Sequence, residues 1–211
     1  MFEAVVIANG TFPTRAEVIE IVRTAPMVVC CDGAADDFIG RGGVPDVIIG
    51  DMDSLSEGNK LRYADIIVRN PDQETNDQTK AVRWALNNIS GIDNLYILGS
   101  TGGRADHTIG NLSLLMEYTR MFDLGEMTLE AVTDEGTIFA INDTIEFDCG
   151  IGRSVSIFSP DSSLRIKSTG LEYPTDDVVF DNWWKATLNR AAQDTVTLRF
   201  SHKSLVLIMM N

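Results

Sequence analysis

A short apolar run that ends in two aspartates constrains the fold of this chain most. Residues 47–49 are Val-Ile-Ile, which have the length and β-branching of a buried strand, and the run passes through Gly50 into Asp51-Met52-Asp53. In an open α/β sheet, the loops beyond the carboxyl ends of the strands form the ligand crevice, so this stretch predicts a ligand site. An ordinary turn is the alternative, because Gly and Asp are common turn residues.

The same order of strand, polar residue and glycine recurs along the first part of the chain. Predicted strands cover residues 4–8, 27–31, 47–49, 66–68 and 95–98, and the first two end at Asn9-Gly10 and Asp32-Gly33. Helical patterns cover residues 14–24 and 76–88 and the stretch from Asp106 to about Met121, with Asn76 or Asp77 as the cap of the second helix and Asp106 as the cap of the third. This alternation predicts a mainly parallel, Rossmann-like sheet with helices on its faces.

After Thr133 the pattern changes. Short strand-like runs follow at residues 138–141, 145–147, 155–158, 164–167, 178–180, 196–200 and 205–209, and only the region 183–192 leaves room for a helix. Strands at this spacing predict a smaller all-β antiparallel sandwich. We therefore expect an α/β domain over residues 1–134 and a β domain over residues 135–211.

Composition narrows the function classes. The formal net charge of −14 argues against a nucleic-acid surface, because such surfaces neutralise phosphates with basic side chains. The three cysteines have no zinc-site spacing and are predicted to be reduced core residues. The first residues lack a basic segment and no apolar run approaches 18 residues, so the sequence predicts a cytoplasmic protein without a membrane span.

Four aspartates lie at or just beyond predicted strand ends: Asp32, Asp51, Asp53 and Asp77. If the strands are parallel neighbours, these carboxylates converge on one edge of the sheet. Hard oxygen ligands of this kind suit Mg²⁺, which completes its shell with water and substrate phosphates. In so acidic a chain, a chance accumulation of acids in loops is the alternative.

Candidate phosphate-binding residues follow two of these segments. Lys80 stands three residues after Asp77 in a predicted first helical turn, so both side chains can face one crevice, with a helix cap and a solvated lysine as the alternative. Arg104 follows a glycine-rich turn, whose free backbone N–H groups can bind an anion. His107 and Asn111 share a face of the next helix, where the histidine has a structural or a ligand-binding interpretation.

Together these motifs resemble the thiamine pyrophosphokinase family. The resemblance covers the first domain and rests on Asn9-Gly10, Asp32-Gly33-Ala34, Gly50-Asp51-Met52-Asp53-Ser54, Gln73 with Asp77 and Lys80, and Gly102-Gly103-Arg104-Ala105-Asp106-His107 with Asn111. It extends more faintly to residues 169–174. Two positions depart from the family pattern: Asn76 stands where the family usually has Thr, and Leu188-Asn189 stands where it usually has Ser-Asn.

The resemblance implies a transfer of diphosphate from ATP, the co-substrate, to the hydroxyl of thiamine, which gives thiamine diphosphate and AMP. It also implies a homodimer whose interface holds thiamine. The residues expected to carry the chemistry are Asp51, Asp53, Asp77, Lys80, Arg104 and Asp106, with Asp51, Asp53 and Asp77 as Mg²⁺ ligands and Asp106 or a metal-site acid as the acceptor of the hydroxyl proton. The residues expected to bind ATP or thiamine are Asp32, Gln73, Asn76, Gly102, Gly103, His107, Asn111, Trp183, Trp184 and Asn189.

Two other functions remain compatible with parts of the pattern. A strand followed by Asp-x-Asp also resembles the nucleophile motif of haloacid-dehalogenase-type phosphatases, which would need a second acid pair at a strand end late in the chain. Asp176-Asp177 instead precede their predicted strand. A non-catalytic sensor of nucleotide or thiamine is the second alternative, favoured only if the aspartates fail to bind metal.

Overall fold

The computed structural model describes all 211 residues, which form two compact units. The first unit comprises Met1–Leu114 with Leu124–Asp134, and the second comprises Leu115–Asp123 with Glu135–Asn211. None of the helices combines the length and the apolar character that crossing a membrane requires.

The first unit alternates strands and helices as its sequence predicts. Its elements are β1 Glu3–Ile7, α1 Ala16–Thr24, β2 Met27–Cys31, α2 Ala34–Gly40, β3 Val47–Gly50, α3 Glu57–Arg62, a 3₁₀ turn Ala64–Ile66, β4 Ile67–Arg69, α4 Asp77–Asn88, β5 Asn94–Leu98, α5 Ala105–Met121 and β6 Thr128–Thr133. The strand order is β6-β5-β1-β2-β3-β4 and every pair is parallel. The last residues of α5 belong to the second unit.

The central strands are apolar because both of their faces are covered. In β1 to β3 nearly every residue is buried, and α4 packs against all three strands. Such strands read as continuous Val/Ile runs instead of alternating patterns. The arrangement brings the carboxyl ends of β2 and β3 side by side, and the aspartates follow these ends.

The second unit consists of two antiparallel sheets. Its strands are β7 Gly136–Ile141, β8 Ile145–Asp148, β9 Ser154–Phe158, β10 Ile166–Thr169, β11 Ala186–Arg190, β12 Thr195–Phe200 and β13 Val206–Met210. One sheet includes β11-β9-β13-β7 and the other is β10-β12-β8. Ile157 and Ile208 of the first sheet and Val196 and Leu198 of the second share one apolar core. This confirms the predicted antiparallel sandwich.

Two local predictions in the second unit were wrong, and two short helices of the first unit were missed. Residues 178–180 form no strand, and the region 183–192, predicted as the place for a helix, contains β11. The alternation of buried and exposed side chains that marks a strand is interrupted in β11, because Leu188 adopts a left-handed conformation (φ 57°) where the β9–β11 register shifts. The short helices α2 and α3 were not predicted, since seven and six residues give too little periodicity.

Candidate active site

Three carboxylates meet at the carboxyl edge of the parallel sheet. Asp32 follows β2, and Asp51 and Asp53 follow the neighbouring strand β3. One carboxylate oxygen from each of the three lies within 4.8 Å of the others. Parallel pairing of β2 and β3 therefore gathers acids that are 21 residues apart in the sequence.

Asp32 is the buried member of this cluster, with 2% of its surface exposed. Its carboxylate accepts backbone N–H groups of Ser54 at 3.3 Å and Leu55 at 2.9 Å. Burial raises the pKa of Asp32, and the negative charges of Asp77 and Asp53 raise it further. The cluster thus concentrates negative charge that a cation would neutralise.

The loop after β3 presents its two aspartates in a fixed geometry. Met52 between them has a left-handed backbone (φ 70°), and its side chain is buried with 3% exposure. Gln73 donates its side-chain amide to Asp51 Oδ2 at 3.1 Å, and this bond is the main reason that the pKa of Asp51 is lowered. Gln73, a predicted ligand residue, therefore lies at the cluster.

Asp77 and Lys80 form an ion pair in the first turn of α4. The ammonium Nζ of Lys80 lies 3.0 Å from Asp77 Oδ1, and the lysine side chain is only 4% exposed. The three acids of the tight cluster are Asp32, Asp51 and Asp53, so the cluster includes Asp32, which the sequence assigned to ligand binding and not to the metal, and does not include Asp77. Asp77 as a metal ligand stays a prediction.

The glycine-rich turn after β5 lies against the loop after β1. Backbone hydrogen bonds of 2.8 Å join Gly10 N–H to the Gly99 carbonyl and Thr11 N–H to the Thr101 carbonyl. Gly102 has a left-handed backbone (φ 79°), and a Cβ there would overlap the Thr11 hydroxyl. Only glycine fits at this position, and the turn leads directly into α5.

Arg104 and Asp106 at the start of α5 form a two-pronged ion pair. Arg104 Nε lies 3.1 Å from Asp106 Oδ1, and its second amino nitrogen lies 2.5 Å from Oδ2. Hydrogen bonds from this guanidinium lower the pKa of Asp106 to about 2. The prediction that Asp106 caps the helix was wrong, because α5 begins one residue earlier, at Ala105.

Three predicted ligand residues occupy the neighbouring helices. The ring of His107 is exposed. Asn76 caps α4 by accepting the N–H of Thr79 at 2.9 Å, as the sequence predicts, and its amide also bonds to Asn111.

The predicted thiamine-binding residues lie in the second unit. Trp183 and Trp184 have 44% and 65% of their surface exposed, and Trp183 also contacts the ring of Phe158. Asn189, by contrast, is 6% exposed, and its amide donates to the Tyr173 carbonyl at 2.6 Å while it accepts the Tyr173 N–H at 3.1 Å.

Tyr173 is a residue at this surface that the sequence analysis did not select as a ligand contact. Its ring is 60% exposed, and it lines a cavity of about 190 Å³ together with Val178, Thr187 and Asn189. The only signal in the sequence was its place in the segment 169–174. Asn189 holds the backbone of this tyrosine.

Comparisons with known proteins agree with this layout. The family model described as "Thiamin pyrophosphokinase, catalytic domain" matches residues 18–124, and the model described as "Thiamin pyrophosphokinase, substrate-binding domain" matches residues 136–207. Thiamine pyrophosphokinase 1 of Oryza sativa subsp. japonica is 30% identical over 205 residues, which cover 82% of this chain and 74% of the relative. Thiamin pyrophosphokinase 1 of Caenorhabditis elegans is 26% identical over 72% of this chain and 66% of the relative.

Solved structures share the fold over the whole chain. The thiamine pyrophosphokinase of Bacillus subtilis superposes with a TM-score of 0.78 at 19% identity, covering 99% of this chain and 98% of the other. That of Candida albicans superposes with a TM-score of 0.77 at 18% identity, covering 100% and 89%.

Proposed function

The chain belongs to the thiamin pyrophosphokinase family, and from this premise we propose how its residues serve the reaction. As a member of the family it is a thiamine diphosphokinase, which transfers diphosphate from ATP to the hydroxyl of thiamine and releases AMP. The observation that carries the assignment of the site is the cluster of Asp32, Asp51 and Asp53 at the edge of the parallel sheet.

We propose that this cluster holds Mg²⁺. The donor set fits, because it consists of carboxylate oxygens within 4.8 Å of one another and includes a buried acid beside like charges. Asp32, Asp51 and Asp53 would hold the ion, with Asp77 as a further carboxylate beside them. When bound, the ion neutralises charge on the phosphate oxygens of ATP.

The chain's own cations supply the remaining charge. Lys80 is buried against Asp77, which fixes the position of its ammonium group, while Arg104 lies at the end of the glycine turn. The backbone of Gly102 and Gly103 precedes the N-terminus of α5, where N–H groups favour anions. Phosphoryl-type transfer depends mainly on positioning and electrostatic stabilisation, and these groups provide both.

The thiamine hydroxyl would attack the β-phosphorus in line with the departing AMP oxygen. The proton of that hydroxyl needs an acceptor. Asp106 and the carboxylates of the metal site are the candidates for this role. Hydrogen bonds from Arg104 lower the pKa of Asp106, and the bond from Gln73 lowers the pKa of Asp51, so the acceptor is the carboxylate that lies within hydrogen-bond reach of the hydroxyl.

We propose that thiamine binds to the exposed aromatic residues of the second unit. Flat, cationic thiamine suits stacking and cation–π contact with Trp183 or Trp184. The side chain of Asn189 is already bonded to the backbone of Tyr173, which favours a supporting role for Asn189 and makes Tyr173 a further contact residue. Aromatic rings left exposed in one chain support the proposal of a homodimer.

A cytoplasmic location is part of the proposal. Its support is that Cys30, Cys31 and Cys149 are free and buried. Proteins of reducing compartments keep their thiols in this state.

The experiment is incubation with ATP, Mg²⁺ and thiamine, followed by separation of the products. We expect AMP and thiamine diphosphate in equal amounts. Free phosphate would instead indicate the phosphatase, and intact ATP would indicate the sensor; neither alternative has support from the comparisons. Light scattering at working concentration tests the homodimer, and a fully active monomer would contradict it.

A further inference from the structure

We propose that Asn111 is a positioning residue that fixes the glycine turn against the first turn of α4. Its amide bonds in both directions: Nδ2 donates to the carbonyl of Ser100 at 3.0 Å, and Oδ1 accepts from Asn76 Nδ2 at 2.8 Å. Asn76 in turn caps α4. Asn111 on α5 therefore connects the turn after β5 with the start of α4.

A second, buried connection runs in parallel. Ser100 and Gln78 are 2% and 3% exposed, and the Ser100 hydroxyl donates to Gln78 Oε1 at 2.9 Å. Gln78 Nε2 donates to the backbone carbonyl of Asn111 at 3.4 Å. Each of the three segments is thus bonded to both of the others, which stabilises one relative arrangement of all three.

The topology explains why such a connection is needed. The strands that lead into α4 and into the glycine turn are β4 and β5, and β1, β2 and β3 lie between them in the sheet. Sheet pairing therefore does not set the distance between Lys80, on α4, and Arg104, beyond the turn. These two cations act on one polyphosphate in the proposed function, on which this inference rests, and misplacement by about 1 Å can cost a hundredfold in rate.

The chemistry of the site suits an amide at position 111. The side chain donates to a carbonyl and accepts from an amide at once, and Asn does so through two separate atoms, Nδ2 and Oδ1. Asn111→Asp keeps the shape and the acceptor but turns an oxygen toward the Ser100 carbonyl. Asn111→Ala removes both bonds. Neither the sequence nor the resemblance distinguished this role from direct contact with ATP.

The test uses the whole protein and the non-transferable analogue α,β-methylene-ATP with Mg²⁺, measured by calorimetry. We expect Asn111→Ala and Asn111→Asp to raise the dissociation constant of the analogue about tenfold, and Asn76→Ser, which keeps a capping oxygen but loses the donor, to raise it by roughly the same factor. Because the residues act as one unit, the double variant Asn76→Ser/Asn111→Ala should bind no worse than Asn111→Ala alone.

Steady-state kinetics separate positioning from general stability. The KM for ATP should rise about tenfold while the KM for thiamine stays within about twofold. The matched control is Asn88→Ala at the other end of α4, where the amide bonds only to the Trp84 carbonyl. This control should leave both constants unchanged.

Two results would overturn the proposal: an unchanged analogue affinity in folded Asn111 variants, or an equal loss for ATP and thiamine. Circular dichroism and urea unfolding report whether each variant is folded, and if the Asn111 variants do not fold, Asn76→Ser decides the outcome alone. Failure of the wild-type protein to bind the analogue or release AMP would instead contradict the proposed function itself.

Discussion

Two aspartates, one in each unit, are placed in opposite electrostatic environments. Asp32 in the first unit is buried beside other acids, and its pKa is raised. Asp161 in the second unit accepts hydrogen bonds from Ser163, His202 and Ser204. These bonds, of which the one from the Ser163 side chain contributes most, hold the pKa of Asp161 well below its usual range. A partly exposed acid with many hydrogen-bond donors stabilises its own fold, whereas a buried acid beside other acids, even with two N–H donors of its own, is suited to bind a cation from outside.

Among the substitutions that test this contrast, Asp53→Asn should have the largest effect on activity. We expect AMP release to fall by roughly a hundredfold or more, because a neutral amide is a poor Mg²⁺ ligand. Circular dichroism should show an intact fold. The matched control is Asp161→Asn, the same exchange in the second unit, which should leave turnover near that of the wild type. Activity of Asp53→Asn within a few-fold of wild type would remove Asp53 from the metal site.

Arg104→Lys tests whether the geometry of the cation matters as well as its charge. Lysine keeps the charge but cannot contact a phosphate group through two parallel N–H groups as a guanidinium does. We therefore expect a loss of about 1–3 kcal/mol in transition-state stabilisation, measured as kcat/KM for ATP. Arg104→Ala should lose more. If the lysine variant equals wild type while the alanine variant is inactive, charge alone is required at this position.

Substitution of the exposed tryptophans tests the aromatic region of the second unit. Trp183→Ala and Trp184→Ala, made separately, should identify one residue whose loss raises the KM for thiamine about tenfold with little change for ATP. Trp183 also packs on Phe158, so its loss should lower thermal stability more than the loss of Trp184. Lost stability without a selective effect on thiamine would assign the residue to packing.

The smallest expected effect is the pH dependence of stability from Asp161. Its pKa is lower in the folded chain than in the unfolded chain, where it is about 3.9, so its stabilising effect is complete above that value and disappears as the pH falls through the folded pKa. Asp161→Asn should therefore lower the melting temperature by roughly a few degrees at pH 7. The difference should shrink steadily below about pH 4. If the difference in melting temperature between the wild type and Asp161→Asn did not depend on pH, the charge of Asp161 would not be the source of the stabilisation.

The sequence predicted the first unit better than the second, for physical reasons. Buried parallel strands such as 47–49 give an unbroken apolar signal, and the rule that ligands bind at their carboxyl ends located Asp51 and Asp53. No such rule tells which of Asp32 and Asp77 lies closer to Asp51 and Asp53. The distances from these two acids to the cluster depend on how β2 and α4 pack. In the second unit, one left-handed residue, Leu188, was enough to hide β11.

The buried Met52 between Asp51 and Asp53 has a consequence for the thermodynamics of the site. Its left-handed backbone costs of order 1–3 kcal/mol, and its side chain is anchored in the core before any ligand arrives. The loop has therefore lost part of its conformational entropy during folding, so a cation at the proposed metal site would meet carboxylates already held in position. The repulsion among these acids lowers the stability of the free protein, and its relief would add to the cation affinity of the proposed site. The same repulsion therefore contributes to both the stability of the free protein and the affinity of the proposed site for a cation, and a bound cation would raise the stability of the folded chain.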